Sequence, residues 1–119
     1  VVLCSGKIYY ELLERFEESE QDKKRTSNIA VIRIEQLHPF PQDALQTLLE
    51  RYGHHVKVVW LQEEPRNMGA WPFISMHYQG DIAEAIARPA SGTTAAGSQV
   101  IYARKHDVIM DDVMKYARK

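Results

Sequence analysis

Cysteine is nearly missing from this chain: Cys4 is the only one in 119 residues, which excludes an internal disulfide and any cysteine-based zinc cluster. Set in the apolar run Val1-Val2-Leu3-Cys4, it reads as a small core residue rather than a nucleophile and points to a reducing compartment. No apolar run approaches the roughly 20 residues that a membrane-spanning helix needs, so no membrane partner is expected. Charge of one sign is also lacking. A formal net charge of -1 removes the long-range attraction on which binding to phosphate backbones depends, so nucleic acid is not an expected partner. The short basic run Lys23-Lys24-Arg25 follows Glu17, Glu18, Glu20 and Asp22 and reads as a solvated helix end. The first residues are already strand-like, with no initiator Met and no charged leader, so the expectation is a C-terminal fragment of a larger subunit without a secretory signal. Residues 1–119 are read as a single domain, able to bury a core but short for an enzyme that must also enclose a large cofactor.

What is present is alternation. Val1 to Cys4 predicts a buried strand, and Ser5-Gly6-Lys7 turns into a helix on which Ile8, Leu12, Leu13 and Phe16 recur at helical spacing. The continuous run Ile29 to Ile34 predicts a second strand covered on both faces, as in a parallel sheet. Pro39 and Pro41 stop it, and Pro41 suits the first turn of a helix carrying Leu45, Leu48, Leu49 and Tyr52 up to a stop at Gly53. Val56 to Leu61 predicts a third strand. This β-α-β-α-β order implies a mostly parallel sheet with helices on its faces. Beyond Trp71, Phe73 to Tyr78 is a helix candidate, and Ile82 to Arg88 is left as helix or strand. From Ser98, a fitting N-cap, a last helix is expected with Ile109, Val113, Tyr116 and Ala117 on one face.

The densest chemistry lies in Trp60-Leu61-Gln62-Glu63-Glu64-Pro65-Arg66-Asn67-Met68-Gly69-Ala70-Trp71, two carboxylates and a proline-glycine turn framed by indoles. Adjacent carboxylates diverge, so structural roles are expected: one accepting hydrogen bonds from the loop around Asn67 and Gly69, the other pairing with a cation such as Arg66 or Arg88. No residue is assigned a catalytic role. Trp60, Trp71, Phe73 and Tyr78 suit a core or a subunit interface, with substrate stacking as the rival use. His38, between Leu37 and Pro39, could reach across a domain or subunit boundary, or pack as a loop histidine. His54 and His55 do not share a helical face, and His77 and His106 have no ligand-like company, so no metal site is expected. Gly92 and Gly97 have the spacing of a phosphate-binding loop, but Ser98 stands where lysine is required. Ser5-Gly6-Lys7 is a somewhat better anion candidate, since helix-start N–H groups and a nearby ammonium favour a phosphate, although a plain strand-to-helix turn remains the leading reading.

Three segments resemble the C-terminal region of the 2-oxoglutarate dehydrogenase E1 family: Leu3 to Tyr10, Ile32 to Pro41, and Trp60 to Trp71. Arg88-Pro89-Ala90-Ser91 and Ala96-Gly97 extend the resemblance over nearly the whole chain. It implies a transketolase C-terminal-like α/β fold, a three-layer α/β/α unit on a mostly parallel mixed sheet of about five strands, one of them reversed. The implied parent subunit decarboxylates 2-oxoglutarate on thiamine diphosphate with magnesium, both held by preceding domains, and passes the succinyl group to the lipoyl-bearing E2 succinyltransferase. Implied partners are those preceding domains, the second E1 subunit of a homodimer, and E2; the implied compartment is bacterial cytoplasm, alternatively the mitochondrial matrix. On this reading Gln36, His38, Phe40, Gln62, Glu63, Glu64, Asn67 and Trp71 are interface or cleft candidates. Ser5, Gly6, Lys7 and Arg88 are candidates for a nucleotide or acyl-coenzyme A effector. The chain departs from the family pattern in a shortened stretch between Tyr78 and Arg88, in Ala87, and in Tyr102 where the family tends to have histidine. Those departures keep 2-oxoadipate or another 2-oxo acid as the alternative substrate.

Overall fold

Because alternate residues of a strand face opposite ways, an uninterrupted apolar run is stable only where both faces are covered. The computed structural model, which describes residues 1–21, 28–92 and 99–118, meets that condition. Its elements run β1 (Val2–Cys4), α1 (Ile8–Gln21), β2 (Val31–Arg33), α2 (Gln42–Glu50), β3 (Val59–Pro65), α3 (Trp71–His77), β4 (Glu84–Arg88) and α4 (Gln99–Met114), closed by a 3-10 turn at Lys115–Arg118. The four strands form one sheet in the order β2-β1-β3-β4, every neighbouring pair parallel.

The side chains divide into two cores. Val2, Cys4, Val59, Leu61 and Ile86 project to one face and meet Ile8 and Leu12 of α1 and Ile109, Met110 and Val113 of α4. Leu3, Val58 and Trp60 project to the other, against Leu45 and Leu49 of α2 and Ile74 of α3. The result is the expected α/β/α sandwich. Trp60, Leu3, Leu12 and Met110 are wholly buried, and each such side chain contributes roughly 1.5–3 kcal/mol relative to exposure. The chain leaves β1 by way of α1 on one face and returns across the sheet by way of α2 on the other, as right-handed crossovers require.

Several expectations shift. The sheet has four parallel strands among the described residues, in place of about five with one reversed. The third strand starts three residues late and runs on through Glu63, Glu64 and Pro65, because β4 pairs with it as far as Pro65↔Arg88, past an irregularity after Leu61. The second strand keeps only Val31–Arg33 and is an edge, half-buried rather than fully covered. The segment left as helix or strand is β4, where Ala85 and Ile86 are buried on opposite faces. Lys23-Lys24-Arg25, Ala96, Gly97, Ser98 and the side chains of Tyr102 and Ala117 lie outside the described residues. No helix among the described residues is long and apolar enough to cross a membrane.

Candidate functional site

The path of the chain reverses between β1 and β3: one crossover leads outward to β2, the others to β3 and β4. In open parallel sheets the carboxyl ends of two such strands leave a crevice where ligands bind. Here the edges of that crevice are Ser5-Gly6-Lys7 after β1 and Glu63-Glu64 at the end of β3. Gly6, at φ +79°, makes the tight entry into α1 in a region that side-chain-bearing residues avoid.

Strand alternation sends the two carboxylates apart, as the sequence predicts. Glu63 continues the Val59–Leu61 face and meets α1 and α4: its Oε2 lies 3.6 Å from Lys7 Nζ. Its backbone carbonyl accepts a 2.6 Å hydrogen bond from Arg88 Nε. Two of the anion candidates, Lys7 and Arg88, therefore converge on one glutamate. Glu64 goes the other way and lies over Gly69, where a Cβ would come within 2.9 Å of Glu64 Oε2. With φ at +64°, Gly69 leaves no room for a larger residue in the turn.

Gln62 is buried, and its amide organises the whole Pro65–Trp71 turn. Its Oε1 accepts from Trp60 Nε1 at 3.0 Å and from the Trp71 N–H at 2.9 Å. Its Nε2 donates to the carbonyls of Pro65 and Met68 at 2.9 and 2.8 Å, with a longer contact to that of Glu64. The side chain is thus directed inward. Asn67 is exposed and staples the turn to the segment after β4: its Nδ2 donates to the Ser91 carbonyl and its Oδ1 accepts from the Ser91 N–H. Arg66 does not pair with a loop carboxylate; it donates to the Ala85 carbonyl at 2.9 Å. Trp71 is half-buried at the start of α3.

The second candidate segment lies on the α2–α3 side of the sheet. Gln36 donates to the Pro39 carbonyl, Phe40 meets the Tyr78 ring edge-on, and His38 is exposed. A cavity of about 280 Å³ opens beside α3, lined by Trp71, Ser75, Tyr78 and Asp81 among others. Its single charged lining group is a carboxylate, the wrong sign for a diphosphate.

One expectation is corrected. His106 does have ligand-like company: its Nε2 is 2.6 Å from Glu11 Oε2, and one ligand atom each from Glu11, Glu63 and His106 lie within 4.8 Å of one another. These residues come from α1, β3 and α4, so no local spacing could have announced the group.

The architecture defines an α/β/α domain with a polar crevice at the carboxyl edge of a four-stranded parallel sheet. The chain belongs to the 2-oxoglutarate dehydrogenase C-terminal family, whose model matches residues 1–114. It is 37% identical to a 2-oxoglutarate dehydrogenase E1 component of Haemophilus influenzae over 98% of the chain, and 39% identical to that of Coxiella burnetii over 97%. It is also 38% identical, over 92% of the chain, to the 2-oxoadipate dehydrogenase complex component E1 of Danio rerio. The chain spans 12% of the length of each of these relatives.

Proposed function

We propose that this domain is the C-terminal part of an E1 subunit of 2-oxoglutarate dehydrogenase, with a structural role at the boundary with the rest of that subunit and its twin. The whole subunit would decarboxylate 2-oxoglutarate on thiamine diphosphate and magnesium and pass the succinyl group to lipoyl-E2. The observation that carries this reading is the family match over residues 1–114. The cavity beside α3 does not suit thiamine diphosphate, because its single charged lining group, Asp81, would repel the diphosphate. On this reading the chemistry resides in other domains, as the family resemblance implies, and the Gln62–Trp71 turn and the Gln36–Phe40 segment make contacts with them. Two features support that role. The turn is held rigid from within by Gln62, and the exposed groups Gln36, His38 and Asn67 stand on it or on the neighbouring segment. The test is deletion of this domain from the full-length subunit. Dimerisation and 2-oxoglutarate turnover should both fall sharply; a truncated subunit that dimerises and turns over normally overturns the reading. Turnover of 2-oxoadipate against 2-oxoglutarate by the intact subunit decides the substrate.

The crevice position of Ser5-Gly6-Lys7 favours a second role, a regulatory site for a phosphate-bearing effector. Calorimetry of the full-length protein with nucleotides and acyl-coenzyme A tests it. Binding that weakens at least tenfold in Lys7→Ala supports the role, and no heat with any of them removes it.

A further inference from the structure

We propose that Glu11, Glu63 and His106 form a site for one divalent transition-metal cation of the zinc type, tying α1, β3 and α4 together at the carboxyl edge of the sheet. The proposal stands on the domain's own side chains and does not depend on the E1 assignment. One imidazole and two carboxylates are a donor set that zinc and its neighbours accept, with the remaining position left for water. The three donor atoms already lie within 4.8 Å of one another. A metal with bonds of about 2.0–2.2 Å needs neighbouring donors roughly 3.4 Å apart, so binding requires only small side-chain rotations.

Independent features of the packing support a cation there. Glu11 Oε2 is sealed from solvent and, although 2.6 Å from His106 Nε2, accepts no hydrogen bond. Each donor is also held from behind. Burial of Leu12 against Met110 and Val113 fixes the approach of α1 to α4, and Arg15, one helical turn beyond Glu11, pairs at 2.7 Å with Asp107, next to His106, across that contact. The Arg88 bond to the Glu63 carbonyl fixes the end of β3. Lys7 is the opposing influence, since its ammonium lies 3.6 Å from Glu63 Oε2; it is 65% exposed and can turn into solvent.

The test uses the full-length protein, stripped of metal with a chelator and titrated with zinc alone against a chromophoric competitor. The wild type should take up one zinc per chain more than Glu11→Gln or His106→Gln. Lys7→Met should bind the same number about threefold more tightly, the scale of one exposed like charge removed. Crystals grown with zinc should show an anomalous peak between the three donors. Equal uptake by the wild type and both ligand variants, or zinc peaks only elsewhere, overturns the proposal. Should a ligand variant fail to fold, as judged by circular dichroism without zinc, the Lys7→Met titration and the diffraction decide between the same two outcomes.

Discussion

Gln62 and Glu63 are neighbours on one strand, yet they do opposite work because their side chains leave opposite faces of the sheet. Gln62 is 3% exposed, and replacing it with alanine would strand the Trp60 Nε1–H and the Trp71 N–H without acceptors. Each buried orphan costs about 1–3 kcal/mol, so Gln62→Ala should lower unfolding stability by about 3 kcal/mol in urea titration. Cys4 gives a different signal. Burial pushes its thiol up from 9.0 to about 12, while in the unfolded chain it ionises near 9. The folded state therefore holds a proton that the unfolded state releases, and stability is intact below pH 9 and lost progressively between pH 9 and 12. The hydroxyl of Tyr116, hydrogen-bonded to Glu84 and likewise raised to about 12, adds to the loss above pH 10. Cys4→Ala should remove one proton from the alkaline slope, about 1.4 kcal/mol per pH unit, in denaturation curves measured between pH 9 and 10.5. An unchanged slope would show that the thiol is not the titrating group.

At the scale of elements, α4 is held by burial far more than by charge. Met110 and Val113 are fully buried against α1 and the sheet, whereas the Arg15–Asp107 pair has side chains 36% and 62% exposed. Met110→Ala should cost about 3 kcal/mol, and the coupling in a double-mutant cycle of Arg15→Ala with Asp107→Ala should stay below about 1 kcal/mol. A coupling above that of the core substitution would reverse this ranking. The same contrast explains what could be read from the chain in advance. Periodic apolar positions such as Ile8, Leu12, Leu45 and Leu49 announced α1 and α2, since burial of one helical face leaves a 3.6-residue signature. The strands were legible as runs but not in extent: Glu63, Glu64 and Pro65 look like a loop until β4 supplies hydrogen bonds alongside. Likewise the divergence of Glu63 and Glu64 followed from strand geometry. The meeting of Glu11 with His106 did not, because it depends on where two distant helices dock.

At the scale of the whole molecule, the candidates for contact with the rest of an E1 subunit separate into residues that build the surface and residues that present it. Gln62 belongs to the first group, and His38, exposed beside the Phe40–Tyr78 contact, to the second. Substitutions in the two groups should therefore have opposite signatures. In the full-length subunit His38→Ala should weaken dimerisation by about tenfold, the scale of a single interface anchor, with the thermal midpoint of the dissociated chain within 1–2 °C of the wild type, roughly the shift expected of a surface change. Gln62→Ala should lower that midpoint by about 10 °C and weaken the dimer only through loss of folded protein. Sedimentation over a concentration series, paired with thermal scans, reads both quantities. If His38→Ala leaves the dissociation constant unchanged while Asn67→Ala raises it, the contact lies on the Gln62–Trp71 turn alone. If neither moves it, this edge of the domain does not contact a second subunit, and the structural role proposed for it fails.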